Sequence, residues 1–201
     1  MSPARRSPET TDALRASLVE HALRLVARDG ASALTMRALA AEAGCAVGLP
    51  YKVFADRHEL VTAMVHAELE SLRNAFDELL ARAGRHTVGG NLAWFAEVLL
   101  DSPAVALGDE IAADTTLTTA ANTEFHTTGL STAFDTVVPD YLAAEQRAGR
   151  VDPALDAKAF GFLVVGALHN LLASGPGYPK PSRRELRRLL DTVAAGLAPR
   201  S

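Results

Sequence analysis

Apolar residues recur three and four positions apart from Leu14 to Leu197, and nowhere do they alternate long enough to make a strand. That periodicity confines the chain to an all-α fold. The residue mixture agrees, since alanine and leucine recur throughout and only 5% of residues are aromatic. With 201 residues the chain makes one or two domains and buries about two thirds of its unfolded surface without covalent staples. Cys45 is the single cysteine, so it forms no disulfide within the chain and supplies no thiolate metal cluster. The longest apolar run, Ala159 to Leu168, stops at His169 and Asn170, short of the ~18 residues a membrane span needs. Charges recur from Arg5 to Asp29, unlike a secretory leader. A cytoplasmic protein without membrane attachment is expected.

Along the chain, Leu14, Leu18, Ala22, Leu25 and Val26 share one helical face that ends at Asp29 and Gly30. Thr35 stands as an N-cap for a short helix carrying Met36, Leu39, Ala40 and Ala43, and Gly44 suits a left-handed turn after it. A short segment, Val47 to Phe54, follows. Asp56 to Glu59 resembles a capping box that opens a long helix through Leu60, Met64, Leu72, Phe76, Leu79 and Leu80. Further helices are expected around Leu92 to Leu99, from Pro103, over Leu130 to Leu142 with Pro139 inside, from Asp152–Pro153 to about Ala173, and from the Ser182–Glu185 capping box to Leu197. Between Thr115 and Thr128, seven threonines predict a loop or a frayed helix start. The total is nine or ten helices.

The formal net charge of −4 argues against a nucleic-acid partner only until its distribution is read. Met1 to Leu60 holds eight Lys+Arg against seven Asp+Glu, and the other 141 residues hold twelve against seventeen. A DNA-facing surface therefore belongs in the first third. There, helix, glycine turn and short helix follow one another as in a helix-turn-helix, whose second helix enters the major groove. The same layout occurs in plain helical bundles.

Three stretches separate these readings: Thr35-Met36-Arg37-Ala38-Leu39-Ala40-Ala41-Glu42-Ala43-Gly44, then Tyr51-Lys52-Val53-Phe54, then Asp56-Arg57-His58-Glu59-Leu60. Together they closely resemble the amino-terminal domain of TetR-type transcriptional regulators over about Leu14 to Leu60. The resemblance implies a helix-turn-helix DNA-binding domain at 1–60, with a disordered tail at 1–9. It also implies a helical effector-binding and dimerisation domain at 61–201. The function implied is a homodimeric repressor, without cofactor, released from a palindromic double-stranded operator by a small-molecule effector. By the same resemblance Thr35 and Arg37 contact phosphate and a base edge, Tyr51 packs against and hydrogen-bonds the backbone, and Arg57 stands for a phosphate-binding lysine.

The residues themselves add detail. Lys52 reaches a phosphate or a guanine edge, Val47 and Leu49 suit thymine methyls, and Gly48 lets the helix approach the duplex. Pro50 removes one amide, which would cost a backbone bond with Ala46 as N-cap; Val47 is the expected N-cap, with Pro50 at N3 where the amide has no intrahelical partner. Arg5 and Arg6 read as a solvated tail rather than a minor-groove arm, and Arg183, Arg184, Arg187 and Arg188 as a solvated face.

For the effector, Trp94, Phe95, Phe125 and Phe162 offer apolar walls and Asn122, His126, His169 and Asn170 polar contacts. For dimerisation the stripe Phe134 to Tyr141 and the helix Asp156 to Leu172 are candidates, the latter because Gly161 and Gly166 permit close approach. The competing classes are a helical enzyme and a helical interaction module without DNA binding. Against the enzyme, the sequence has no phosphate-cradling glycine loop, no nucleophile elbow and no zinc-binding histidine pair.

Overall fold

The computed structural model describes residues 8–173 and 181–199. Among them the elements are α1 (Pro8–Asp29), a 3-10 turn (Ala31–Ala33), α2 (Met36–Glu42), α3 (Pro50–Val53), α4 (Arg57–Ala81), α5 (Val88–Leu100), α6 (Pro103–Ala113), α7 (Thr115–Thr127), α8 (Leu130–Arg147), α9 (Ala157–Ala173) and α10 (Arg183–Gly196). The all-α class holds, with ten α-helices and no strand among the described residues. None of these helices is long and apolar enough to cross a membrane. Residues 1–69 and 102–124 form one compact unit and residues 70–101 and 125–201 another.

In the first unit the apolar stripes of α1, α2 and α4 converge on one core, with Leu18, Ala22, Val26, Leu39, Phe54, Leu60 and Met64 buried. Leu107 of α6 and Leu117 of α7 enter the same core. The threonine-rich segment is helical over Thr115–Thr127, so of the loop and the frayed helix start expected there the loop is not formed. The Asp114 carboxylate accepts from the Thr116 and Leu117 amides at 2.8 and 3.2 Å, capping the first turn. The hydroxyls of Thr118 and Thr119 fold back onto the Ile111 and Thr115 carbonyls. The competing hydrogen bond of Thr119 is thereby absorbed within α7, and that of Thr118 by the end of α6.

In the second unit α8 packs on α9 and α5 on α10. Both pairs meet through glycine. Gly161 of α9 receives the Pro139 ring of α8, and a Cβ there would overlap that ring and its nitrogen. Gly89 of α5 faces the Asp191 backbone of α10 at a distance that leaves no room for a side chain. The interior proline of α8 is thus a packing feature, and Gly161 serves contact within the chain.

The end of this unit is closed by a buried carboxylate. Glu145 has no solvent exposure and pairs with Arg150 through two contacts, Nε to Oε2 at 2.8 Å and Nη2 to Oε1 at 3.0 Å. Arg150 also donates to the Arg85 and His86 carbonyls, and the Gly84 amide donates to Glu145, so the turn between α4 and α5 is fastened to the end of α8. Burial, with a bond to Glu145, pushes the Tyr141 hydroxyl far above its ordinary pKa.

The helix expected from Asp152–Pro153 begins later, at Ala157, because Gln146 donates to the Asp152 and Leu155 carbonyls and holds the intervening residues as a turn. Asp156 then caps α9 through the Lys158 and Ala159 amides. The Ser182–Glu185 capping box forms as read.

The two α9 glycines yield opposite expectations. Gly161→Ala forces overpacking against Pro139 and costs about 1–3 kcal/mol. Gly166→Ala meets nothing within 4 Å and stabilises the helix by about 0.5–1 kcal/mol. Thermal unfolding of the two variants should move the midpoint in opposite directions.

Candidate functional site

The turn between α2 and α3 is built as the residues dictate at its start. The Thr35 hydroxyl accepts from the Ala38 amide at 3.0 Å, α2 runs seven residues, and Gly44 turns the chain at φ 61°. Beyond it the register differs from expectation. The Leu49 amide donates to the Ala46 carbonyl at 2.8 Å, closing a single tight turn, and α3 starts with Leu49 as N-cap and Pro50 at N1. Val47 is therefore not the cap, and Pro50 lies two positions nearer the helix start than its sequence reading. The reason is that N1 is where a missing amide costs least.

This register sets the exposed face. Val47 is 49% and Tyr51 59% exposed, Gly48 and Lys52 are exposed, and Leu49 is half-buried. Thr35 and Arg37 are exposed at the start of α2. Tyr51 is thus not a core residue, whereas Phe54 is fully buried.

Arg57 is placed differently from its reading as a phosphate ligand. Its Nε donates to the Leu34 carbonyl at 2.8 Å and its Nη2 to the Ala31 carbonyl at 3.2 Å, so the half-buried guanidinium ties the start of α4 to the segment before α2. Arg15 does comparable work on the other side. It pairs with Glu59 at 2.7 Å, donates to the Val53 carbonyl at 3.2 Å and lies 4.5 Å from the Phe54 ring centroid. Neither clamp was visible in the sequence, where Arg15 is only a polar residue beside an apolar stripe.

The other head arginines are paired too: Arg24 with Glu20, and Arg28 with Asp29 and Glu42. Among the described residues 8–60, Arg37 and Lys52 are the two Lys or Arg side chains with neither a hydrogen bond nor an ion pair. Arg5 and Arg6 lie outside the described residues.

The Asp56 carboxylate caps α4 through the Glu59 amide at 2.9 Å. Glu59 reaches back one residue further than a capping box requires, accepting from the Ala55 amide at 2.7 Å. That bond, then the Arg15 contact, holds the Glu59 pKa below the ordinary carboxylate range.

The proposed effector contacts divide among several places. Phe125, Phe162 and His169 line one groove of the second unit, whereas Asn170 lines another, between α9 and α10. Phe95 is buried against Phe76, with centroids 5.9 Å apart, and Trp94 lies under the Arg82 guanidinium at 3.8 Å. Asn122 and His126 are exposed on α7.

Residues 18–64, which span α2, α3 and the Arg57 clamp, match the family model of the bacterial regulatory proteins, tetR family. The likeness to this family's model covers the head alone, and beyond it the chain shares the fold of solved TetR-family regulators. A TetR-family regulator of Mesorhizobium loti superposes with a TM-score of 0.64 at 16% identity, covering 96% of this chain and 97% of that one. A TetR regulatory protein of Mycobacterium vanbaalenii gives 0.60 at 25% identity, covering 95% and 99%. A transcriptional regulator of Saccharomonospora viridis in complex with choline gives 0.61 at 19%, covering 94% and 100%. No curated protein matches. In the matched stretch, α2, the Gly44 turn and α3 follow one another as helix, turn and short helix.

Because the folded-state pKa of Glu59 is lowered, its contribution is present above the unfolded carboxylate value and lost as pH falls through the folded one. Amide exchange at Ala55, corrected for intrinsic rate, should lose protection across that acid window in the native protein, while Glu59→Gln should show reduced and pH-independent protection.

Proposed function

We propose that this protein is a homodimeric repressor of the TetR type, held on a palindromic operator by two heads and released when a small molecule occupies the carboxy-terminal domain. The domain division proposed is functional: residues 1–60 read DNA, and residues 61–201 bind effector and partner. One observation carries the reading. The two unpaired head cations, Arg37 and Lys52, accompany exposed Thr35, Val47 and Tyr51 in a family-matched head. Arg37 and Lys52 supply the phosphate and base-edge contacts, assisted by Thr35 and Tyr51. Val47, with Leu49 and Gly48, reads thymine methyls at close approach. Arg57 acts at one remove, positioning α2 rather than touching phosphate.

The partner surface is the groove of about 680 Å³ between α9 and α10. Leu163 at 63%, Leu189 at 51% and Val193 at 37% exposure leave it uncovered. The Phe134 to Tyr141 stripe is no longer a candidate, since Val137, Val138 and Tyr141 are buried within the unit. An effector that prefers the released form by about 1–3 kcal/mol weakens operator binding about five- to 150-fold. No catalytic role is assigned.

A dimer making four such cationic contacts should lose operator affinity with a log–log salt slope near about −3.6. Arg37→Ala or Lys52→Ala, present in both protomers, should each flatten it by about 1.8, whereas Arg57→Ala should weaken binding with the slope kept. Equal slopes for all three proteins would refute the division of roles. Leu189→Asp should convert the dimer to monomer in sedimentation velocity, and an unchanged dimer would place the interface elsewhere.

A further inference from the structure

A second groove of the carboxy-terminal unit, about 540 Å³ in volume, opens on the opposite flank of α9 from the partner surface. Three of its walls are aromatic: Phe125 from α7, Phe134 from α8 and Phe162 from α9. Asp135 adds the single carboxylate and His169 an imidazole, and no lysine or arginine lines the groove. Asp135 has no ion-pair partner among the described residues, so its charge is open to a ligand.

Phe134 is already fixed. Its ring lies 6.0 Å from that of Phe76, which in turn lies 5.9 Å from buried Phe95. This aromatic column holds one wall in place before any ligand arrives, which lowers the ordering cost of binding. Phe162, by contrast, is 75% exposed, a cost in water that an apolar ligand surface would relieve.

Aromatic faces carry negative quadrupole density and attract alkylated ammonium groups, while a carboxylate supplies the full opposite charge. An anion would face Asp135 without a compensating cation, and a neutral ligand would leave that carboxylate partly desolvated and unpaired. We propose that this groove binds an organic cation, an alkylated ammonium bearing an apolar substituent, with Asp135 as counter-ion and Phe125, Phe134 and Phe162 as its aromatic walls. The inference rests on the effector reading above and names the ligand class for that domain.

Calorimetric titration of the full-length protein with benzyltriethylammonium, benzyl alcohol and benzoate tests it. The ammonium should bind at least tenfold more tightly than either comparator. Asp135→Asn, an isosteric change at an exposed position, should remove most of that preference while leaving the alcohol unchanged. Phe125→Leu, which keeps apolar volume and removes the ring, should weaken the ammonium about fivefold. Equal binding of the three probes, no binding of the ammonium, or an unaltered preference in Asp135→Asn would overturn the proposal. Operator release is read separately in the same preparation. An ammonium that binds in an Asp135-dependent way without moving duplex affinity upholds the site and overturns its effector role. A different small molecule that releases the operator, with the ammonium unbound, upholds the effector reading and overturns this site.

Discussion

Two very short helices cannot hold themselves together in water. Segments of seven and four residues, the lengths of α2 and α3, lie far below the length at which helix propagation outweighs nucleation, so their geometry is imposed from outside. The imposition has an apolar part, the burial of Leu39 and Phe54 among α1 and α4 residues, and a polar part, the Arg15 and Arg57 clamps. The apolar part is non-directional and brings the segments together. The clamps fix their orientation, because guanidinium hydrogen bonds to specific carbonyls tolerate little displacement. The exposed face of Val47, Tyr51 and Lys52 owes its placement to both.

In the second unit the equivalent constraint is closeness of backbones. Glycines 89 and 161 let helices approach to distances at which any side chain would collide, and the Pro139 ring fills the second of these notches. Interiors packed this tightly shift as bodies rather than deform continuously. Glu145 and Arg150 close one end, a pair whose burial is tolerable because both carboxylate oxygens are satisfied by charged donors and an amide.

The consequence for α9 is a helix with one packed side and two open flanks. Its apolar residues on nearly every face predict burial on more than one side, yet within one chain Phe162 and Leu163 remain largely exposed. That imbalance leaves two grooves of different lining, one with an aliphatic rim and the other holding Phe134 and Asp135.

Much of the fold was legible because it is written at short range. The N-caps Thr35 and Ser182, the left-handed turn at Gly44, and the apolar stripes of α1 and α4 are relations between residues within a few positions, fixed by helical geometry. The helix over Thr115–Thr127 could not be told from a loop because its propensity is poor while its stability comes from Asp114 and from folded-back hydroxyls. Residue type and spacing together carried the family resemblance and named the cations of the head, but could not say which cations were already occupied. Arg57 finds its carbonyls 23 and 26 positions away and Arg15 its carboxylate 44 away, and chain separation carries no information about such meetings. Composition and period determined a helical protein, and the helix-turn-helix head followed from the resemblance that its residue motifs carry. Only tertiary packing decided that Arg37 and Lys52 stay unpaired there, and that Phe125, Phe134 and Phe162 share a groove while Trp94 and Phe95 do not, since these depend on long-range contacts that no local rule encodes.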